Sequence, residues 1–158
     1  PLEEAGLPVS VPEELTSTLF SPNSVTPCVA CIGVAPTGEV FVGVDQIGSL
    51  GKGGGKGRII RLVDEDHNGV SDIRTEYALI DNPRGIVPVG NKLYVLHTKW
   101  GEGTKFDGMF LSVLEDLDGD GVADGPPRHL VKEISTRKYN QSRGVDHTTN
   151  GILSLIHI

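Results

Sequence analysis

The stretch Asp64-Glu65-Asp66-His67-Asn68-Gly69-Val70-Ser71-Asp72 returns as Asp116-Leu117-Asp118-Gly119-Asp120-Gly121-Val122-Ala123-Asp124. Both read D-x-D-x-[DN]-G-x-x-D, and equivalent residues lie 52 apart. Alternating carboxylates ahead of a glycine form an oxygen cage for a hard cation such as Ca²⁺. A period of about 50 residues, in a chain built from strands, marks a propeller blade.

The flanks of the two loops are strand-like. Arg58 to Val63 is a short apolar run that the first loop ends, and Ile73 to Ile80 is expected to return as its partner. Gly108 to Leu114, the second loop and Arg128 to Ile134 repeat that order. Upstream, Val29 to Val34 and Glu39 to Gly43 flank the turn Pro36-Thr37-Gly38, a hairpin signal. Between the two units, Asn82-Pro83-Arg84-Gly85 is expected as a turn. Gly85 to Val89 and Lys92 to His97 then follow, joined through Gly90-Asn91. The 21 glycines and 10 prolines favour frequent turns, and no long amphipathic helix pattern separates the strands. That excludes a βαβ plan and predicts an all-β antiparallel meander, in radial units.

The domain plan expected from this is a lead-in over residues 1–25, two repeat units over 26–152, and a tail over 153–158. Within the lead-in, residues 13–20 are expected to pair as an edge strand. Two units cannot close a ring, so the chain reads as the first blades of a longer propeller. The final hexapeptide, Leu153-Ser154-Leu155-Ile156-His157-Ile158, reads as non-native or truncated sequence.

The loops are not EF-hands. An EF-hand carries a bidentate Glu at position 12, and here that position holds Thr75 or Pro127. The expected ligands are Asp64, Asp66, Asn68 and Asp72 in the first loop, and Asp116, Asp118, Asp120 and Asp124 in the second. The second, with a third Asp in place of Asn68, is expected to bind more strongly. The competing reading is an ion-free turn whose carboxylates cap backbone N–H groups. The formal charge of −7 becomes +1 once the eight acids of the two loops are set aside. The acidity is therefore local, and nothing in it suggests nucleic acid.

Two other motifs invite chemistry. Cys28-Val29-Ala30-Cys31 is followed by Ile32 rather than His, which excludes haem attachment, and no second Cys pair completes a four-Cys zinc site. Buried packing is the expected role for one or both, with a strained local disulfide and then redox chemistry as the alternatives. The glycine-rich run from Gly48 to Gly57 lacks the phosphate-loop spacing, so it is expected as a plain loop whose lysines could meet an anion.

Arg143-Gly144-Val145 echoes Arg84-Gly85-Ile86, and it leads into Asp146-His147-Thr148-Thr149-Asn150-Gly151. A His beside an Asp in a glycine-bounded polar loop is a candidate general base with its orienting acid.

Residues 146–152 resemble the D-H-x-x-G-[RG]-[LI] stretch of soluble quinoprotein glucose dehydrogenases and related sorbosone-dehydrogenase-like propellers. With Pro36–Gly43, Gly57–Leu62 and Asn82–Gly85, the chain is similar over roughly residues 14–152 to a bacterial membrane-bound dehydrogenase domain. The Thr-Thr-Asn insert departs from the usual spacing. The resemblance implies a six-bladed propeller that oxidises a sugar or alcohol. His147 would be the base, Asp146 its orienter, and hydride would pass to pyrroloquinoline quinone. Arg84 and Arg143 would hold the quinone carboxylates, although pairing with an acid is the other role open to each. A c-type haem segment further along the full-length protein and a periplasmic, membrane-associated setting are implied too, and these two units alone would be inactive. The rival expectation is a non-enzymatic calcium-binding propeller that binds glycan or protein, since one fold hosts both kinds of function.

Overall fold

The computed structural model describes residues 11–46, 53–102, 105–135 and 151–152. They form two four-stranded antiparallel sheets. The first runs β1 (Val29–Val34), β2 (Val40–Asp45), β3 (Gly57–Val63) and β4 (Ile73–Leu79). The second runs β5 (Pro83–Val89), β6 (Lys92–Trp100), β7 (Phe106–Glu115) and β8 (Arg128–Val131). Sequential neighbours pair throughout, so each sheet is a simple meander. There is no helix among the described residues, and so none long and apolar enough to cross a membrane.

The 52-residue period of the sequence is carried by the backbone. Gly38 and Gly90 have positive φ in the hairpin turns β1–β2 and β5–β6. His67 and Gly119, then Gly69 and Gly121, have positive φ in the two Asp loops. These conformations are cheap for glycine and costly for a side chain with a Cβ, so His67 carries a local strain that Gly119 avoids.

The core lies between the sheets. Phe41, Ile59 and Tyr77 of the first meet Ile86, Leu93, Val95 and Leu114 of the second. Phe41 and Tyr77 meet edge to face, with ring centroids 5.2 Å apart. Two glycines allow the innermost strands to approach. A Cβ on Gly33 would stand 2.8 Å from the Ile86 carbonyl oxygen. A Cβ on Gly85, its equivalent 52 residues on, would stand 2.9 Å from the Ile152 backbone nitrogen. Gly151 also donates its amide to the Arg84 carbonyl at 3.3 Å. The step from β1 to β5 is thus repeated from β5 to residues 151–152.

Three sequence expectations change. Residues 13–20 form no strand. Pro12 and Pro22 instead accept turn hydrogen bonds from Leu15 and Val25, and Phe20 and Val25 pack on the far face of the first sheet, against Val42, Val44, Ile60 and Leu62. Pro83-Arg84-Gly85 is not a turn but the start of β5, where a register shift between Pro83 and Gly85 absorbs the missing N–H of proline. The return strand of the second unit is short, ending at Val131 rather than Ile134.

The repeat is also imperfect in one ladder. Val40 pairs with Leu62, but its counterpart Lys92 pairs with Glu115, so β6 sits one residue along relative to β2. A one-residue shift exchanges the two faces of a strand. Phe41 turns toward the second sheet, whereas its counterpart Leu93 turns toward the first; Ile60 and Ser112 keep equivalent faces, toward the lead-in and toward the first sheet.

Candidate functional site

Both Asp loops close the outer hairpin of their sheet, between β3 and β4 and between β7 and β8. Five hydrogen bonds recur at equivalent places. Asp72 accepts from the Glu65 amide at 2.8 Å, as Asp124 does from Leu117 at 2.6 Å. Asp64 accepts from Gly69 at 2.8 Å, as Asp116 does from Gly121 at 2.9 Å. Asp66 accepts from Asn68 at 3.1 Å, as Asp118 does from Asp120 at 3.2 Å. Asn68 and Asp120 each accept an amide two residues on at 2.8 Å. The Asp72 and Asp124 amides close the hairpins onto Val63 and Glu115.

These bonds hold the carboxylates pointing inward. One oxygen from each of Asp64, Asp66 and Asp72 lies within 4.8 Å of the others, and so does one from each of Asp116, Asp118 and Asp120. Three carboxylates that close repel one another unless a cation or protons intervene. Oxygen donors in an irregular loop suit Ca²⁺, whose shell is large and tolerant. The same bonds are also what an ion-free capped turn would make, so both sequence readings are compatible with the geometry.

Each loop is tied to what lies beside it. The Ala123 amide donates to the Tyr77 carbonyl at 2.9 Å, and Gly121 lies against the Arg61 guanidinium. Burial, and then the nearby Asp116 and Asp124, push the Tyr77 hydroxyl up to about 12. Arg61 is itself held by Glu39, through Nε at 2.9 Å. The hydroxyl of Thr37 first, and then Arg61, keep the Glu39 carboxyl below the usual range.

Arg84 enters a buried polar cluster where β2, β5 and β6 meet. Its Nη2 is 3.4 Å from Asp45 Oδ2, with the side chains 10% and 3% exposed. The same oxygen accepts from Asn82 Nδ2 at 2.6 Å, and Asn82 Oδ1 accepts from Trp100 Nε1 at 2.6 Å. Asp45 Oδ1 and Arg84 Nε are buried without a partner among the described residues. Of the two roles open to Arg84 in the sequence, pairing with an acid is the one seen here. Asp146, His147 and Arg143 lie outside the described residues.

Sequence reasoning missed a second polar chain. His97 donates from Nδ1 to the Thr98 carbonyl at 3.0 Å, since a carbonyl only accepts. Its Nε2 must then accept from the Ser112 hydroxyl at 2.8 Å. Ser112 Oγ in turn accepts from His129 Nδ1 at 2.8 Å, and His129 Nε2 faces the Lys99 ammonium at 3.5 Å. One carbonyl thus sets the direction of the whole chain. Burial above all pushes His97 down to about 4, and burial followed by Lys99 and Lys132 lowers His129. Both rings are neutral at pH 7. Ser112 is fully buried, so this is a relay inside the protein and not an exposed nucleophile.

The remaining motifs are quiet. Cys28 is exposed and Cys31 half-buried, and the two are free thiols rather than a disulfide. Burial pushes Cys31 up to about 12, which removes it from thiolate chemistry. In the glycine-rich loop the amides of Gly55, Lys56 and Gly57 already point at Asp81 Oδ1, at 2.7, 3.2 and 3.4 Å. A phosphate there would have to displace a carboxylate of the chain itself.

No protein-family model, curated protein or solved structure matches this chain.

Proposed function

We propose that the two sheets are consecutive blades of a calcium-stabilised β-propeller of the quinoprotein dehydrogenase type, acting on a sugar or alcohol. The observation that carries the propeller reading is the repeated close approach of innermost strands, Gly33 on Ile86 and Gly85 on Ile152. A constant step from sheet to sheet is what a radial array requires. In this reading the Asp loops hold Ca²⁺ on the outer hairpins.

The dehydrogenase part rests on the resemblance of residues 146–152. His147 would take the proton of the substrate hydroxyl, and Asp146 would orient the imidazole. Pyrroloquinoline quinone, when bound, would supply a two-electron acceptor for the hydride. Arg84 alone, almost fully buried and turned to Asp45, is a poor match for a polycarboxylate, so the quinone would depend on Arg143 and on cations beyond this chain. A periplasmic location, and delivery of electrons to a c-type haem segment, belong to the same proposal. The test is dye reduction by a ring-complete protein containing this chain, reconstituted with the quinone and offered sugars and alcohols. Activity should fall about 10²–10⁴-fold in His147→Ala.

The pairing of Arg84 with Asp45 favours a second reading, a non-enzymatic propeller that binds glycan or protein. Absence of quinone binding in the closed, folded ring would select it.

A further inference from the structure

A cavity of about 320 Å³ opens between the outer parts of the two sheets, opposite in chemistry to the Asp loops. Lys99, His129, Trp100 and Asp81 line it, together with the apolar walls of Leu79 and Pro126. We propose that this cavity is a binding site for a small organic carboxylate with an apolar or ring-shaped body.

The argument begins with Lys99. Its ammonium contacts a neutral imidazole at 3.5 Å and lies 5.5 Å from the centre of the Phe110 ring. Among the described residues no carboxylate stands within ion-pair distance of it. An ammonium has three N–H groups, so two remain after the contact with His129. Among the described residues that half-buried cation has no counterion, which such a position normally has.

His129 cannot act as the counterion. Its Nδ1 proton is committed to Ser112 by the direction of the relay, and its Nε2 accepts from Lys99. Among the described residues that line the cavity the one acid is Asp81, and its Oδ1 is turned onto three loop amides. The net field in the cavity is therefore positive on the Lys99 side. Trp100 is fixed by its bond to Asn82, which leaves a rigid indole as a wall. A charged end and apolar walls select a carboxylate with a hydrocarbon body over an inorganic anion. None of the expected Asp-loop ligands lines this site.

Trp100 is the only tryptophan of the chain, so its emission reports on the cavity directly. The probe is cyclohexanecarboxylate, with cyclohexylmethanol as its neutral match and inorganic phosphate as an anion without a body. Binding to the 158-residue chain is read by tryptophan emission and by calorimetry. The carboxylate should bind saturably, with the alcohol and phosphate each at least tenfold weaker. Lys99→Gln should weaken the carboxylate about tenfold and leave the alcohol unchanged, and Lys99→Arg should retain it. Equal binding of carboxylate and alcohol by the unsubstituted chain would overturn the proposal, whatever the variants do. So would saturable binding unaffected by Lys99→Gln, or no saturable binding of the carboxylate by calorimetry.

Discussion

Phe20 and Tyr77 hold equivalent places against the two Asp loops. The carbonyl of Phe20 accepts the Ser71 amide at 2.9 Å, and the carbonyl of Tyr77 accepts the Ala123 amide at 2.9 Å. Ser71 and Ala123 are 52 residues apart, whereas Phe20 and Tyr77 are 57 apart and belong to different kinds of segment. Thr18 repeats the relation, lying on Gly69 as Arg61 lies on Gly121. The lead-in therefore does for the first sheet what the outermost strand of the first sheet does for the second. It covers an apolar face and braces the outer hairpin.

Removing the Phe20 ring should then cost stability although it lies in no strand. Phe20→Ala is expected to destabilise by about 1–3 kcal/mol, below the range of a fully buried Phe because it is half-buried. Urea titration reads this, and an unchanged midpoint would show that the lead-in does not brace the sheet.

Calcium should raise the melting temperature, and a chelator should reverse the gain, because a ligand that binds only the folded state stabilises it. Asp118→Ala and Asp120→Ala should reduce the gain. Asn68→Asp should enlarge the contribution of the first loop by supplying the third Asp that the second loop has. A melting curve indifferent to millimolar-scale calcium would select the ion-free turn.

The Asp45–Arg84 pair is expected to show the asymmetry of buried charges. Arg84→Met should cost about 3–5 kcal/mol, since it leaves the Asp45 carboxylate buried with Asn82 as its remaining polar partner. Arg84→Met with Asp45→Leu should cost clearly less than the sum of the two single changes. Additive losses in a denaturation double-mutant cycle would mean that the pair is not coupled.

Acid should weaken the fold through His97. Its pKa is depressed in the folded state, from 6.5 to about 4, so the unfolded chain binds more protons between those values. The stabilisation is full above about pH 6.5 and is lost as pH falls toward 4, about 2–4 kcal/mol across the window. His97→Gln should lower stability at neutral pH and flatten the dependence in that window. A slope unchanged by the substitution would assign the acid sensitivity to other groups.

Close contact at Gly33 and Gly85 gives a further check. Gly33→Ala would press a methyl onto the Ile86 carbonyl, and Gly85→Ala would do the same at Ile152. Each is expected to cost about 1–3 kcal/mol. Gly33→Ala without loss of stability, by thermal denaturation, would mean that the sheets can separate freely.

The sequence by itself determined most of the strands, the all-β class and the place of the two Asp loops, because each rests on local chemistry; it misread residues 13–20 and the start of β5. Alternating apolar residues make a strand, and a glycine at Gly38 or Gly119 permits a positive φ wherever the chain goes. The period of 52 placed every loop in its unit. Only the tertiary structure decided how the faces are used. The one-residue shift of β6 cannot be read from the repeat, since the Asp loops that follow keep the 52-residue spacing. Yet that shift sets His97 on the face where it meets Ser112 and His129, residues that stand alone in the sequence. The same holds for Arg84 and Asp45, 39 residues apart, and for Phe20, whose role depends on which face the first sheet leaves open. Strand identity is set by neighbours along the chain, but pairing and burial are set by contacts across it. A side chain's partner is therefore fixed only when the sheets have met.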